Sequence, residues 1–231
     1  MHSFSVGRFD VHNVEEWQGP FAAPAELFAD FDAARFAGFR DELPGAVYQR
    51  EDDRLYAFLQ SWILQTDDLT VLVDTGAGNG KARPGIPVFG GLETAYLDNL
   101  ARAGFSPDDI DVVVNTHLHI DHVGWNTSRE GDRWTPTFPR ARYLFSAIDR
   151  AYWDPAGPSP RPAPAGQAVN ENVFEDSVQP VLDSGRCELV DDGHRIAPGL
   201  TLRLFPGHTP GHLVLDVEDG GERALFVGDI L

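Results

Sequence analysis

Cysteine is nearly absent: Cys187 stands alone among 231 residues. One thiol cannot close an internal disulfide, and such sparing use fits a reducing compartment. Lysine is as scarce, Lys81 being the only one, and 18 Lys plus Arg face 36 Asp plus Glu for a net charge of −18. That surface repels nucleic-acid backbones and anionic membranes, which argues against both as partners and against nuclease chemistry. No apolar run is long enough to span a bilayer, and residues 1–8 lack the apolar core of a secretory signal. The expectation is a cytoplasmic protein whose partner is a small-molecule substrate.

What is present fits an ordinary globular chain, with 42% apolar and 23% charged residues. The length suits one large domain, taken as 1–231, with an aromatic-rich arm at 15–45 inside it. In that arm Leu27, Phe28, Phe31, Ala34 and Phe36 fall on a helical stripe over 24–40, joined by Trp17 and Phe21. The arm either covers the core or serves as a lid or homodimer contact.

Alternation predicts an opening strand or hairpin over 3–14, and two strands, 55–66 and 69–74, joined at Asp67-Asp68. A helix is expected over 92–103, stopped by Gly104, then strand 111–116. Residues 134–138 read as an aromatic loop, 141–146 as a strand, 146–153 as a short helix and 172–182 as a helix interrupted at Pro180. Five prolines between Pro155 and Pro164 mark an excursion. Strands at 187–190 and 200–205 and a hairpin of 212–217 with 223–228 complete a β-rich last third.

The chemistry concentrates in His117-Leu118-His119-Ile120-Asp121-His122, directly after the apolar run 112–114. If the backbone stays extended, His117, His119 and Asp121 share one side, and a turn at Asp121 brings His122 to them. Packing explains this poorly, because burying three imidazoles and a carboxylate without a ligand leaves several polar groups to desolvate. Nitrogen and oxygen donors without thiolate favour zinc, with iron, manganese and cobalt as the other candidates. Their arrangement suits two adjacent cations. Downstream, His208 lies in a loop bounded by Pro206, Gly207, Pro210 and Gly211, and Asp229 follows Gly228 at a strand end. Both are candidate ligands at strand ends.

The His-x-His-x-Asp-His run, with Val73-Asp74-Thr75-Gly76 before it and residues 206–212 and 228–229 after it, resembles the metallo-β-lactamase-fold metallohydrolases. The resemblance implies an α/β chain folded as a four-layer αββα sandwich of two mixed sheets with helices outside. It implies that His117, His119 and His208 hold one metal, that Asp121 and His122 hold a second, and that Asp229 bridges them. Asp74 would brace the ligand loop, and His212 would be a supporting or strand residue. Two such cations would activate water against a carbonyl or phosphoryl centre, with Asp121 passing a proton to the leaving group.

The family places one further histidine some tens of residues beyond Asp229. The chain stops at Leu231, so a domain lacking its C-terminal part is expected. His122 in place of Arg and Asp229 in place of Cys argue against a true β-lactamase. His119, where the flavo-diiron members have Glu, argues against a redox role. The aromatic loops look most like the N-acyl homoserine lactonase and organophosphate-hydrolase branch, implying a small lactone or ester as substrate. The alternatives are a phosphotriester hydrolase, a glutathione-thioesterase-like enzyme using Lys81 and Arg83 in a mobile loop at the site mouth, and an inactive fragment or single-metal scaffold.

Overall fold

The computed structural model describes residues 3–28, 30–157 and 170–230. His2, Leu231 and most of the proline-rich excursion therefore lie outside the described residues. The chain opens with a hairpin of β1 (Ser3–Val6) and β2 (Phe9–Ala22), the second strand running well past the expected end at 14. Short helices α1 (Pro24–Leu27) and α2 (Ala33–Ala37) follow. The single helical stripe expected over 24–40 is broken because the Asp32 carboxylate accepts the Arg35 N–H at 2.9 Å and starts a new helix.

Next come β3 (Tyr48–Gln49), β4 (Arg54–Gln65), β5 (Thr70–Val73) and α3 (Tyr96–Arg102). The last is shorter than predicted, since the Thr94 N–H and hydroxyl both donate to Asn79 Oδ1, at 2.7 and 3.0 Å, and bind that segment to a loop. Strand β6 (Val112–Val114) leads into the histidine motif. The expected aromatic loop is a hairpin, β7 (Thr127–Glu130) with β8 (Arg133–Pro136), pairing Arg129 with Trp134.

Strand β9 (Arg142–Ser146) and α4 (Ala147–Trp153) stand as predicted. Pro180 does not interrupt its helix. Phe174–Val178 forms a π-turn, and α5 (Gln179–Asp183) begins beside it with Pro180 in its first turn, where a missing N–H costs nothing. The chain ends with β10 (Cys187–Val190), β11 (Arg195–Ala197), β12 (Leu200–Leu204), β13 (Leu213–Asp219) and β14 (Glu222–Phe226).

Among the described residues, eight strands make a mixed sheet in the order β1-β2-β4-β5-β6-β9-β10, with β3 on β4. Its centre, β5, β6 and β9, is parallel and apolar on both faces, as a doubly covered sheet requires. The second sheet, β11 to β14, is antiparallel throughout rather than mixed: tight turns join β11 to β12 and β13 to β14, and the loop 205–212 returns the chain from β12 to β13. Val71, Val73, Val112 and Val114 pack against Leu202, Leu213 and Leu215 between the sheets. The opposite face of the large sheet buries Leu72 and Val113 with Tyr96 and Leu100 of α3 and Val181 of α5.

Strand direction then sets the position of the site. The parallel strands β5 and β6 end at one edge of the large sheet, Val73 beside Val114. Strands β12 and β14 are both antiparallel to β13, so their carboxyl ends share an edge too. The Leu213 N–H donates to the Thr116 carbonyl at 2.7 Å and joins those two edges. Every segment that leaves them enters the same space.

Candidate metal centre

The motif leaves β6 and turns earlier than expected. The His122 N–H donates to the His119 carbonyl at 3.1 Å, so the reversal starts at His119 rather than at Asp121. The His122 carbonyl then accepts from Thr75 N–H at 2.8 Å and from Asn115 Nδ2 at 2.7 Å, fixing the turn against the loop after β5.

The structure brings together His117, His119 and His208 as one group, and His117, His122 and Asp229 as another, ligand atoms within 4.8 Å in each. His119 Nδ1 lies 3.0 Å from His117 Nε2 and 2.8 Å from His208 Nε2. Asp229 Oδ2 is 3.3 Å from His122 Nε2 and 3.5 Å from His208 Nε2, so this carboxylate reaches both groups. Asp121 falls outside the tighter groups, its carboxylate 3.7 Å from His122 Nε2. His117 is fully buried, whereas the Asp229 side chain stays 42% exposed, which opens one side to solvent.

Hydrogen bonds behind the ligands aim them. Asp74, held at φ 57° at the end of β5, accepts Thr116 N–H at 2.7 Å, the Thr116 hydroxyl at 2.8 Å and His122 Nδ1 at 2.9 Å. With its proton given to Asp74, the Thr116 hydroxyl can accept from His117 Nδ1, 3.1 Å away. These bonds engage Nδ1 of both His117 and His122 and turn each Nε2 toward the centre. His212 Nε2 accepts the Asp229 N–H at 3.2 Å. Gly228 is required between them: its φ is +53°, and a Cβ there would lie 2.5 Å from Thr116 Oγ1 and 2.8 Å from His212 Nε2.

The electrostatics follow from burial. Burial first, then the imidazoles of His122 and His119, hold the His117 ring well below the usual histidine value. Burial and His208 bring His119 down to about 3. Burial opposes charge on His122 as well, but the carboxylates of Asp121, Asp74 and Asp229 outweigh it and push that ring up. Burial likewise opposes the Asp229 carboxylate, and His122 and His208 overcome it, so its carboxyl sits well below the usual range. Burial raises Asp121.

This donor set fits a cation. Three imidazole nitrogens converge within hydrogen-bond distance, and a proton on any one of them can serve only one neighbour, leaving lone pairs opposed. A positive ion is what satisfies such a group, and the nitrogen and carboxylate donors suit zinc-like metals.

Two residues that support the site carried no motif. Glu16, on β2, accepts Ala77 N–H at 2.7 Å, Gly78 N–H at 2.9 Å and Trp125 Nε1–H at 2.7 Å, tying the loop after Asp74 to the one after His122. Burial pushes its carboxyl up to about 7 against those donors. Its signal was parity alone, two residues from the buried Val14. The other is Asp149, in the first turn of α4.

Lys81 and Arg83 are a correction. Both are buried rather than at a mobile mouth: Arg83 makes a two-pronged bond to Asp176 at 2.6 and 2.8 Å, and Lys81 donates to Thr127 Oγ1 at 2.8 Å and lies 3.7 Å over the Trp134 ring.

The family model for the metallo-beta-lactamase superfamily matches residues 58–231. The chain belongs to that superfamily. Among curated relatives, an N-acyl homoserine lactonase from Bacillus thuringiensis is 25% identical over 179 residues, covering 72% of this chain and 61% of its own length. The lactonase AiiB from Agrobacterium fabrum is 28% identical over 173 residues, covering 69% and 57%. The chain thus spans about three-fifths of the length of these relatives. Among solved structures, the hydrolase AbOPH superposes with a TM-score of 0.78 at 24% identity, over 100% of this chain and 74% of that one. The dizinc quorum-quenching lactonase AidC gives 0.77 at 21% identity, over the same shares. At these identities the likeness shows the fold.

Proposed function

We propose that this chain carries the catalytic centre of a metal-dependent hydrolase acting on a small, uncharged lactone or ester. The observation that carries the reading is the convergence of His117, His119, His208, His122 and Asp229 from three separate strand ends. In it, His117, His119 and His208 would hold one cation, and His122, Asp121 and Asp229 would contribute to a second. Bound there, such cations, zinc first among them, bring the pKa of water toward neutrality and polarise a carbonyl oxygen. Asp74 and Thr116 keep Nε2 of His122 and His117 turned inward, and in this reading Asp121 would give a proton to the leaving oxygen.

Two features support an uncharged, partly apolar substrate. A cleft of about 360 Å³ beside His122 and Asp229 is walled by Phe58, Trp62 and Phe226. The two basic side chains that an anionic thioester would need are buried against Asp176. The names of the lactonase relatives point the same way. The test is a panel of lactones, aryl esters, thioesters and phosphotriesters offered to zinc-loaded protein. Metal-dependent turnover of lactones or esters above the other classes supports the reading; turnover that survives complete removal of metal contradicts it.

A further inference from the structure

Asp149 occupies a place that neither the ligand set nor the family motif uses. Its side chain is fully buried, yet it lies on α4, outside both ligand loops. Oδ2 accepts the Leu118 N–H at 3.2 Å and the Thr209 hydroxyl at 2.9 Å, while Oδ1 accepts the Gly211 N–H at 2.7 Å. Leu118 sits between His117 and His119, and Thr209 directly follows His208. One carboxylate therefore holds the backbone of two ligand loops that are about ninety residues apart in sequence. The contact is close: a Cβ on Gly211 would lie 2.4 Å from the Asp149 nitrogen and 2.5 Å from Ser146 Oγ, so the second loop is seated directly on the first turn of α4.

Resting on the metal-centre reading above, we infer that Asp149 is the positioning residue of the three-histidine group, setting the separation of His119 and His208 as Asp74 sets the orientation of His122. Nothing else in the described hydrogen bonding ties both of those loops to a single side chain. Asp149 touches neither cation nor substrate, and its effect is carried by the two imidazoles. Asparagine at 149 keeps the size and one acceptor but presents an amide to donors that a carboxylate satisfied. Removing an outer residue that orients metal ligands commonly weakens metal binding ~10–100-fold, and that is the loss expected here at one of two cations.

The experiment is zinc competition against a chromophoric chelator, with the cobalt-substituted absorption spectrum recorded in parallel. It compares the wild-type chain with Asp149→Asn and with Thr209→Val, a milder change that removes one bond. The inference expects one binding step weakened roughly tenfold or more, the other retained, and a changed cobalt spectrum, all in protein whose metal-free circular dichroism matches wild type. Thr209→Val carries the test if Asp149→Asn does not fold. Folded variants that bind both cations as tightly as wild type overturn the inference alone, as does equal weakening of both steps. A wild-type chain that binds no zinc overturns the metallohydrolase reading, and the inference falls with it.

Discussion

Two clusters of buried polar side chains lie in loops of this fold, and they end in opposite states. Around Asp176, Lys81 and Arg83 meet a carboxylate, a carbonyl and a hydroxyl, so donors face acceptors. Around His117, ring nitrogens face one another and a carboxylate with no matching set of protons. Apart from the Arg83 Nε–H, which finds no partner, the first cluster is closed by its own members and holds two loops together. The second is open in its bonding and accessible at Asp229. Burial of charge is common to both, so burial alone does not mark a site; unsatisfied convergence does.

The sharpest way to break that comparison is to remove one member from each. His119→Ala is expected to reduce zinc-dependent hydrolysis to background while leaving the metal-free protein folded, read by turnover and circular dichroism. A variant that keeps full activity contradicts the role given to the site. Arg83→Met is expected to do the reverse: losing the two-pronged bond and leaving Asp176 only Lys81, 3.5 Å away, should cost about 3–5 kcal/mol of stability in denaturant titration, with turnover per folded molecule little changed.

Glu16→Gln comes next. Its amide can no longer accept from all three N–H donors, which should destabilise by about 1–3 kcal/mol.

The smallest effect is the pH dependence of Lys81. Burial brings this amine down to about 7, against the carboxylate of Asp176 that raises it. Between about 7 and the ordinary lysine value near 10.5 the unfolded chain then binds the extra proton, so this group makes stability rise with pH across that window. Cys187, pushed up to about 12 by burial, acts in the opposite sense above its ordinary value of 9.0, so the comparison must be with a variant. Lys81→Met should lose the rise, and its stability relative to wild type should be greatest near and below pH 7. An unchanged difference across pH 7 to 10.5 would count against a charge-disfavouring environment at Lys81.

The two clusters also differ in how visible they were before the structure. His117, His119, Asp121 and His122 are legible because their ligand types crowd into one local stretch, and His208 and Asp229 because glycines flank them at strand ends. Lys81 and Arg83 were misread as a mobile basic loop, since nothing local announces that Asp176, more than ninety residues on, will bury them. Asp149 was hidden for the same reason: a Ser146-x-x-Asp149 pattern reads as an ordinary helix start, and only the tertiary fold turns that carboxylate toward Leu118 and Thr209. In the fold, long apolar strands were predictable from period and burial. The early turn at His119, the β7–β8 hairpin and the π-turn before Pro180 depend on partners distant in sequence.

The most direct test of the central claim is anomalous diffraction at the zinc edge from crystals of the zinc-loaded chain. The account predicts a peak about 2.0–2.1 Å from the nitrogens of His117, His119 and His208, with Asp229 and His122 at a second. A peak elsewhere on the surface, with no zinc among those three imidazoles, would contradict it.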